Sequence, residues 1–246
     1  MKTKTTLFLI VFILLGFTLA NSVLADVGEI WAPYTDVPFT PSTGSVTGRF
    51  FVVSVNDRYF VAQTDAHCVA DRGSRERIYD GQVHYLFVGD GDRKRKVLVK
   101  IARIYVGFDR EVAYIVYRQT DATRGVKAET LSDSPIQVKD SISMKQVSNA
   151  YKTGTVNNVT LAEASFTSDV DADFGESGSP ALREGRVVGR FFGIMPDGSR
   201  CFGTVDKETV MRDIRAINEN RLDDVGLVLV KPDGTIPIRA KRLNAN

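Results

Sequence analysis

From residue 45 onward, apolar and polar positions follow one another in short β-rich runs. Val, Phe, Tyr, Ile and Thr dominate the runs at 45–55, 59–63, 82–88, 97–106, 111–117, 141–147, 153–159, 186–194 and 201–205. Turn-forming pairs such as Gly-Asp and Asp-Gly separate many of them, and "GDGD" at 89–92 and "PDGS" at 196–199 read as hairpin connections. Punctuation of this kind suits an all-β sandwich or barrel, not alternating βα units. One stretch breaks the pattern. Between Asp206 and Asn220, Val210, Ile214 and Ile217 recur at helical spacing behind a plausible N-cap, Asp206, which predicts one amphipathic helix near the end. Beyond it, "GLVLVKPDGTIPIRA" reads as a small hairpin turning at Pro232-Asp233-Gly234, followed by a basic tail.

The start of the chain reads differently. Met1-Lys2-Thr3-Lys4 precedes an apolar run from Leu7 to Ala20, and Val23-Leu24-Ala25 has the small residues that a signal peptidase reads. The run is short for a bilayer span. The expected order is a signal peptide at 1–25, an extended segment or short propeptide at 26–44 carrying Pro33, Pro38 and Pro41, one large or two-lobed domain at 45–220, and a hairpin extension with a basic tail at 221–246. The mature protein is then secreted or periplasmic, with no membrane partner after cleavage.

The formal net charge of +2 includes Lys2 and Lys4 of the signal, so the mature chain is close to neutral and nucleic acid is not an expected partner. The local run Arg93-Lys94-Arg95-Lys96 follows a turn signal and reads as a solvated hairpin loop. Cys68 and Cys201 are the two cysteines, and export permits one bridge between them. No Cys-x-x-Cys or His-rich spacing occurs, so neither a metal nor another cofactor is expected.

The candidate chemistry centres on "DADFGESGSPAL", residues 171–182, where Ser177 stands among glycines. Glycine flanks allow a sharp turn and close approach of another molecule, so Ser177 is either a turn residue or a nucleophile. A serine nucleophile needs a base, an acid to orient that base, and donors for the oxyanion. His84 sits inside a predicted strand and defaults to packing. His67, in "QTDAHCVAD" at a strand end, is the better base. Asp109 and Glu111 in "FDREVAYIVYR" are the candidate acids, on one face if the strand already extends to Asp109.

Together these pieces resemble the trypsin and chymotrypsin-like serine peptidases. "TDAHC" is similar to that family's Thr-Ala-Ala-His-Cys, "EVAYI" to its Asp-Ile-Ala-Leu-Leu and "GESGSP" to its Gly-Asp-Ser-Gly-Gly-Pro; the Ser-Gly-Ser-Pro ending resembles the bacterial glutamyl-endopeptidase branch. The order histidine, acid, serine also fits. The resemblance implies a double six-stranded antiparallel β-barrel, chymotrypsin-like, with a C-terminal helix packed on the second barrel and the site between the barrels. It implies Ser177 as nucleophile, His67 as general base, Glu111 (or Asp109) as third member, and the Gly175 and Ser177 amides as oxyanion hole. Asp171, six residues before Ser177, falls at the family's specificity position, which implies either cleavage after Lys or Arg of a protein or peptide substrate or, since Asp169 and Asp173 flank it, an acidic loop with no such contact.

The chain also departs from the family. Glu111 replaces an aspartate. Asp65 stands where the family has a buried alanine, so it must be exposed or hydrogen-bonded. The family partners of Cys68 and Cys201 are missing, so the resemblance implies two free or intermolecular thiols. No Ile-Val-Gly-Gly start follows Ala25, and Glu176 replaces the aspartate that would receive it, so activation by an inserted N-terminus is not expected. The alternative function is a catalytically weak or inactive homologue that acts as a binding or regulatory module.

Overall fold

Alternation along three neighbouring strands sets the architecture. In the computed structural model, which describes residues 27–33, 44–70, 81–89, 94–145 and 150–236, strands β2 (Gly44–Val55), β3 (Tyr59–Asp65) and β7 (Val112–Arg118) pair antiparallel. Phe50, Val52, Phe60, Ala62, Ala113, Ile115 and Tyr117 fill the core of the first lobe. The intervening residues Phe51, Val53, Val61, Val112 and Tyr114 point the other way, into a second apolar cluster. A period of two lets one sheet serve two cores.

The first lobe is an eight-stranded sheet in the order β14-β6-β7-β3-β2-β1-β4-β5. It adds β1 (Val27–Pro33), β4 (Val83–Val88), β5 (Arg95–Leu98), β6 (Ile101–Gly107) and β14 (Val228–Leu229) to the three strands above. The run expected at 97–106 is thus two strands. Residues 27–33, part of the segment expected to be extended or a propeptide, form an interior strand. β1 lies between β2 and β4, with Val27 and Ile30 fully buried, which is the place of a structural strand. The expected signal peptide, residues 34–43 and the basic tail from 237 lie outside the described residues.

The second lobe is a closed barrel of β8 (Ser141–Lys145), β9 (Tyr151–Thr160), β10 (Ser165–Ser168), β11 (Pro180–Arg183), β12 (Arg186–Ile194) and β13 (Arg200–Thr204). Met144, Phe166, Phe191 and Phe202 pack in its core. β10 and β11 are too short and mixed for a run to show in the sequence.

The helix α2 (Lys207–Glu219) begins at Asp206, whose Oδ2 accepts the Thr209 amide at 2.8 Å. It packs on both lobes and not on the second alone. Its Val210, Ile214 and Ile217 join the cluster shared by both lobes, with Phe51 and Tyr105 of the first and Leu182 and Val187 of the second. Asp213, fully buried, accepts Arg110 Nη1 at 2.6 Å and the Tyr114 hydroxyl at 2.8 Å, both from the first lobe. The segment after the helix does turn at 231–235, and its strand β14 pairs with β6. Among the described residues no helix is long and apolar enough to cross a membrane.

Candidate active site

β3 ends at Asp65 and passes into a single helical turn, α1 (Ala66–Val69), that carries His67. The Ala66 amide donates to the Glu111 carbonyl at 3.0 Å. The His67 amide donates to Glu111 Oε1 at 3.1 Å, and the ring Nδ1 stands 3.3 Å from that same oxygen. A proton on Nδ1 suits this contact and, in the neutral ring, leaves Nε2 to accept. Glu111 reaches back because its backbone turns left-handed, φ 48°, at the end of the short 3-10 turn Phe108–Arg110. A non-glycine residue there is strained and persists only where its surroundings hold it. The strand begins at Val112, so alternation does not pair Asp109 with Glu111. Asp109 is exposed and its carboxylate lies beside Gly226. Glu111 is therefore the acid that meets His67.

Ser177 comes from the other lobe, on the loop that leads into β11. Glycines 175 and 178 take left-handed φ values of 82° and 88°. The loop is anchored on β12 by Gly178 N to Phe191 O at 2.8 Å and Phe191 N to Ser179 O at 2.9 Å, and on β2 by Arg49 N to Ser177 O at 2.6 Å. The Gly175 and Ser177 amides have no acceptor among the described residues. The Ser177 hydroxyl donates to the Phe192 carbonyl at 3.3 Å, and the Phe192 ring meets the His67 ring edge-on, with 5.5 Å between centroids. Serine and histidine thus converge on Phe192 from opposite lobes, and the hydroxyl is turned to the carbonyl rather than to the ring. Cys68 Sγ, 3.5 Å from Ser177 O, closes the contact behind them.

The electrostatics are unusual. Burial works against charge on the His67 ring, but the Cys68 thiol, the Glu111 carboxylate and the nearby Asp65 outweigh it and push the imidazole up to about 10. Asp65 is fully buried, and Arg190 Nε donates to its Oδ1, as the departure from alanine required. Burial raises the Asp65 carboxyl, and the Arg190 guanidinium opposes that shift. Glu176 is also buried. Its carboxylate accepts Arg49 Nη1 at 3.3 Å, Lys152 Nζ at 3.1 Å and the Asp173 amide at 2.8 Å.

One expectation needs correction. Asp171 does not floor a pocket: its side chain is 86% exposed and stands 3.7 Å from Arg200 Nη2. Its buried neighbours Val170 and Ala172 face inward, and alternation turns Asp171 out. An exposed acid beside a cation holds little attraction for a substrate lysine or arginine. Cys68 and Cys201 are both free. His84 is buried against Tyr117, and burial lowers it to about 3. As for a metal, ligand atoms of Asp65, His67 and Cys68 lie within 4.8 Å of one another, but Arg190 already holds the carboxylate and its charge opposes a cation.

Arg49, Lys152, Arg190 and Phe192 escaped the sequence reading. A signal was present for two of them: Gly-Arg-Phe-Phe occurs at 48–51 and again at 189–192, each time with an arginine inside an otherwise apolar run. A charge in such a place implies a buried partner.

No family model and no curated protein matches the chain. Solved structures do. The inactivated protease paralogue S-D1 of the scabies mite is 16% identical, covering 80% of this chain and 93% of its own, with a TM-score of 0.54. The active form of the Rv3671c protease from M. tuberculosis is 15% identical, covering 74% of this chain and 76% of its own, with a TM-score of 0.51. At these identities the likeness concerns the fold, and the fold is chymotrypsin-like.

Proposed function

We propose that this chain is an exported serine endopeptidase that works through Ser177, His67 and Glu111. The observation that carries the reading is the convergence of the His67–Glu111 pair of one lobe and Ser177 of the other on Phe192, beside two uncommitted amides. The chemistry follows from those positions. The Ser177 hydroxyl rotates from the Phe192 carbonyl toward His67 Nε2, loses its proton to the ring and attacks the substrate carbonyl carbon. Glu111 keeps the other ring proton in place and stabilises the imidazolium. The Gly175 and Ser177 amides take the developing oxyanion, each worth about 3 kcal/mol of transition-state stabilisation. The imidazolium protonates the leaving amine, and water releases the acyl group by the same route. The Ser177-Gly178-Ser179-Pro180 ending supports a place near the glutamyl-endopeptidase branch. The exposure of Asp171 takes away the support for cleavage after Lys or Arg.

A second reading has its own observations. The hydroxyl is bonded away from His67, and the raised imidazole holds its proton at neutral pH. Both suit a weak or inactive homologue used for binding. Intact-mass measurement after treatment with a serine-directed fluorophosphonate separates the two. The peptidase takes one adduct that Ser177→Ala abolishes; folded protein that takes none across pH 7 to about 10 overturns the proposal in favour of the binding module.

A further inference from the structure

The Asp65–Arg190 pair crosses between the lobes at almost complete burial, 0% and 4% exposed. Taking two charges out of water offsets most of what their attraction returns. One carboxylate oxygen, Asp65 Oδ2, even lacks a partner. A buried polar pair of this kind can instead fix one register between the parts it joins.

We propose that Arg190 is a positioning residue that sets the His67–Glu111 pair in register with Ser177; this rests on the serine-hydrolase reading above. Its guanidinium grips two first-lobe segments together. Nε donates to Asp65 Oδ1, two residues before His67, and Nη2 donates to the Glu111 carbonyl at 3.1 Å. That carbonyl also accepts the Ala66 amide, so it links the turn of His67 to the turn of Glu111. At its other end Arg190 belongs to β12, the strand that anchors the Ser177 loop through Phe191 and bonds the Ser177 hydroxyl through Phe192. Base, acid and nucleophile therefore share one rigid side chain as their common reference. A planar fork with two separated donors can do this; the point charge of a lysine can satisfy one acceptor only.

The test compares Arg190→Lys and the apolar double variant Arg190→Met with Asp65→Leu against the full chain. Three quantities are read: thermal midpoint, fluorophosphonate labelling rate, and the NMR signals of the histidine rings. His67 and His84 are the two histidines, and His84, bonded to Tyr117 at 2.6 Å, serves as internal control. The double variant is expected to keep its melting midpoint, as apolar replacements of buried pairs do. Its His67 signals shift or broaden, its His84 signals stay, and labelling slows by about 10²-fold, the scale of an ångström misplacement. Arg190→Lys moves His67 in the same direction and to a smaller extent. Unchanged His67 signals in a folded variant overturn the proposal, as does a folded variant that labels at the original rate. Should the double variant not fold, Arg190→Lys decides. Should the parent protein never label, the hydrolase reading fails by itself and the His67 signals decide whether Arg190 positions the ring.

Discussion

Gly178 shows how much a single missing side chain governs. The glycines beside Ser177 suggested a sharp turn, and the turn exists, but Gly178 is needed for a further reason. A Cβ there would lie 2.0 Å from the Arg49 carbonyl oxygen and 2.4 Å from Thr64 Oγ1, on a backbone with φ +88°. The strand β2 comes that close because Arg49 N bonds the Ser177 carbonyl. Gly178→Ala must therefore both strain the loop and push it off β2. A loss of about 3 kcal/mol is expected in urea unfolding, with labelling of Ser177 reduced as well. At Gly175 the nearest obstacle is the Val46 carbonyl oxygen at 3.2 Å, so the strain there comes mainly from φ +82°. The sequence makes the two glycines look alike, and their neighbours make them different.

At the scale of the element, α2 is the clearest case. Its apolar spacing and its Asp206 cap were legible, because a helix of this kind is set by residues three and four apart. Where it would lie was not legible, because the deciding contacts come from far along the chain. Asp213 is buried among Arg110, Tyr114 and the shared apolar cluster, and Gln63 Nε2 completes the network by donating to the Tyr114 hydroxyl at 2.9 Å. Asp213→Ala removes the acceptor at the centre of this network. The expected cost is about 3 kcal/mol in urea unfolding, with the helix signal in circular dichroism retained until the global transition. A surface acid on the same helix, such as Glu208, has no such partners to lose.

At the scale of the whole molecule, titration couples the cleft to stability. Unfolded, His67 has its ordinary value of 6.5; folded, it is raised to about 10. Below 6.5 both states hold the proton and the stabilisation is fully present. Between 6.5 and about 10 the folded chain alone holds it, so stability falls as pH rises through this window. The groups that raise the ring all come from the first lobe, namely Cys68 on α1, Glu111 before β7 and Asp65 at the end of β3, while Arg190 of β12 pairs with that Asp65. Urea unfolding measured across this range is expected to show the decline, and Glu111→Gln to flatten it by removing one of the charges that raise the ring. His84 acts in the opposite direction. Its folded value of about 3 means that the unfolded chain takes the proton first as pH falls below 6.5, which destabilises the fold on the acid side.

Local spacing was enough for most strand runs of both lobes and for the helix at 207–219, and side-chain chemistry was enough for the residue types able to carry acyl transfer. Glu111 over Asp109, the outward turn of Asp171, the strand at 27–33 and the role open to Arg190 were decided by tertiary structure alone. Each depends on a contact, a sheet partner or a pattern of burial set by residues tens of positions away in sequence. Local pattern states what a residue can do; burial and the partners brought to it by the fold decide what it meets.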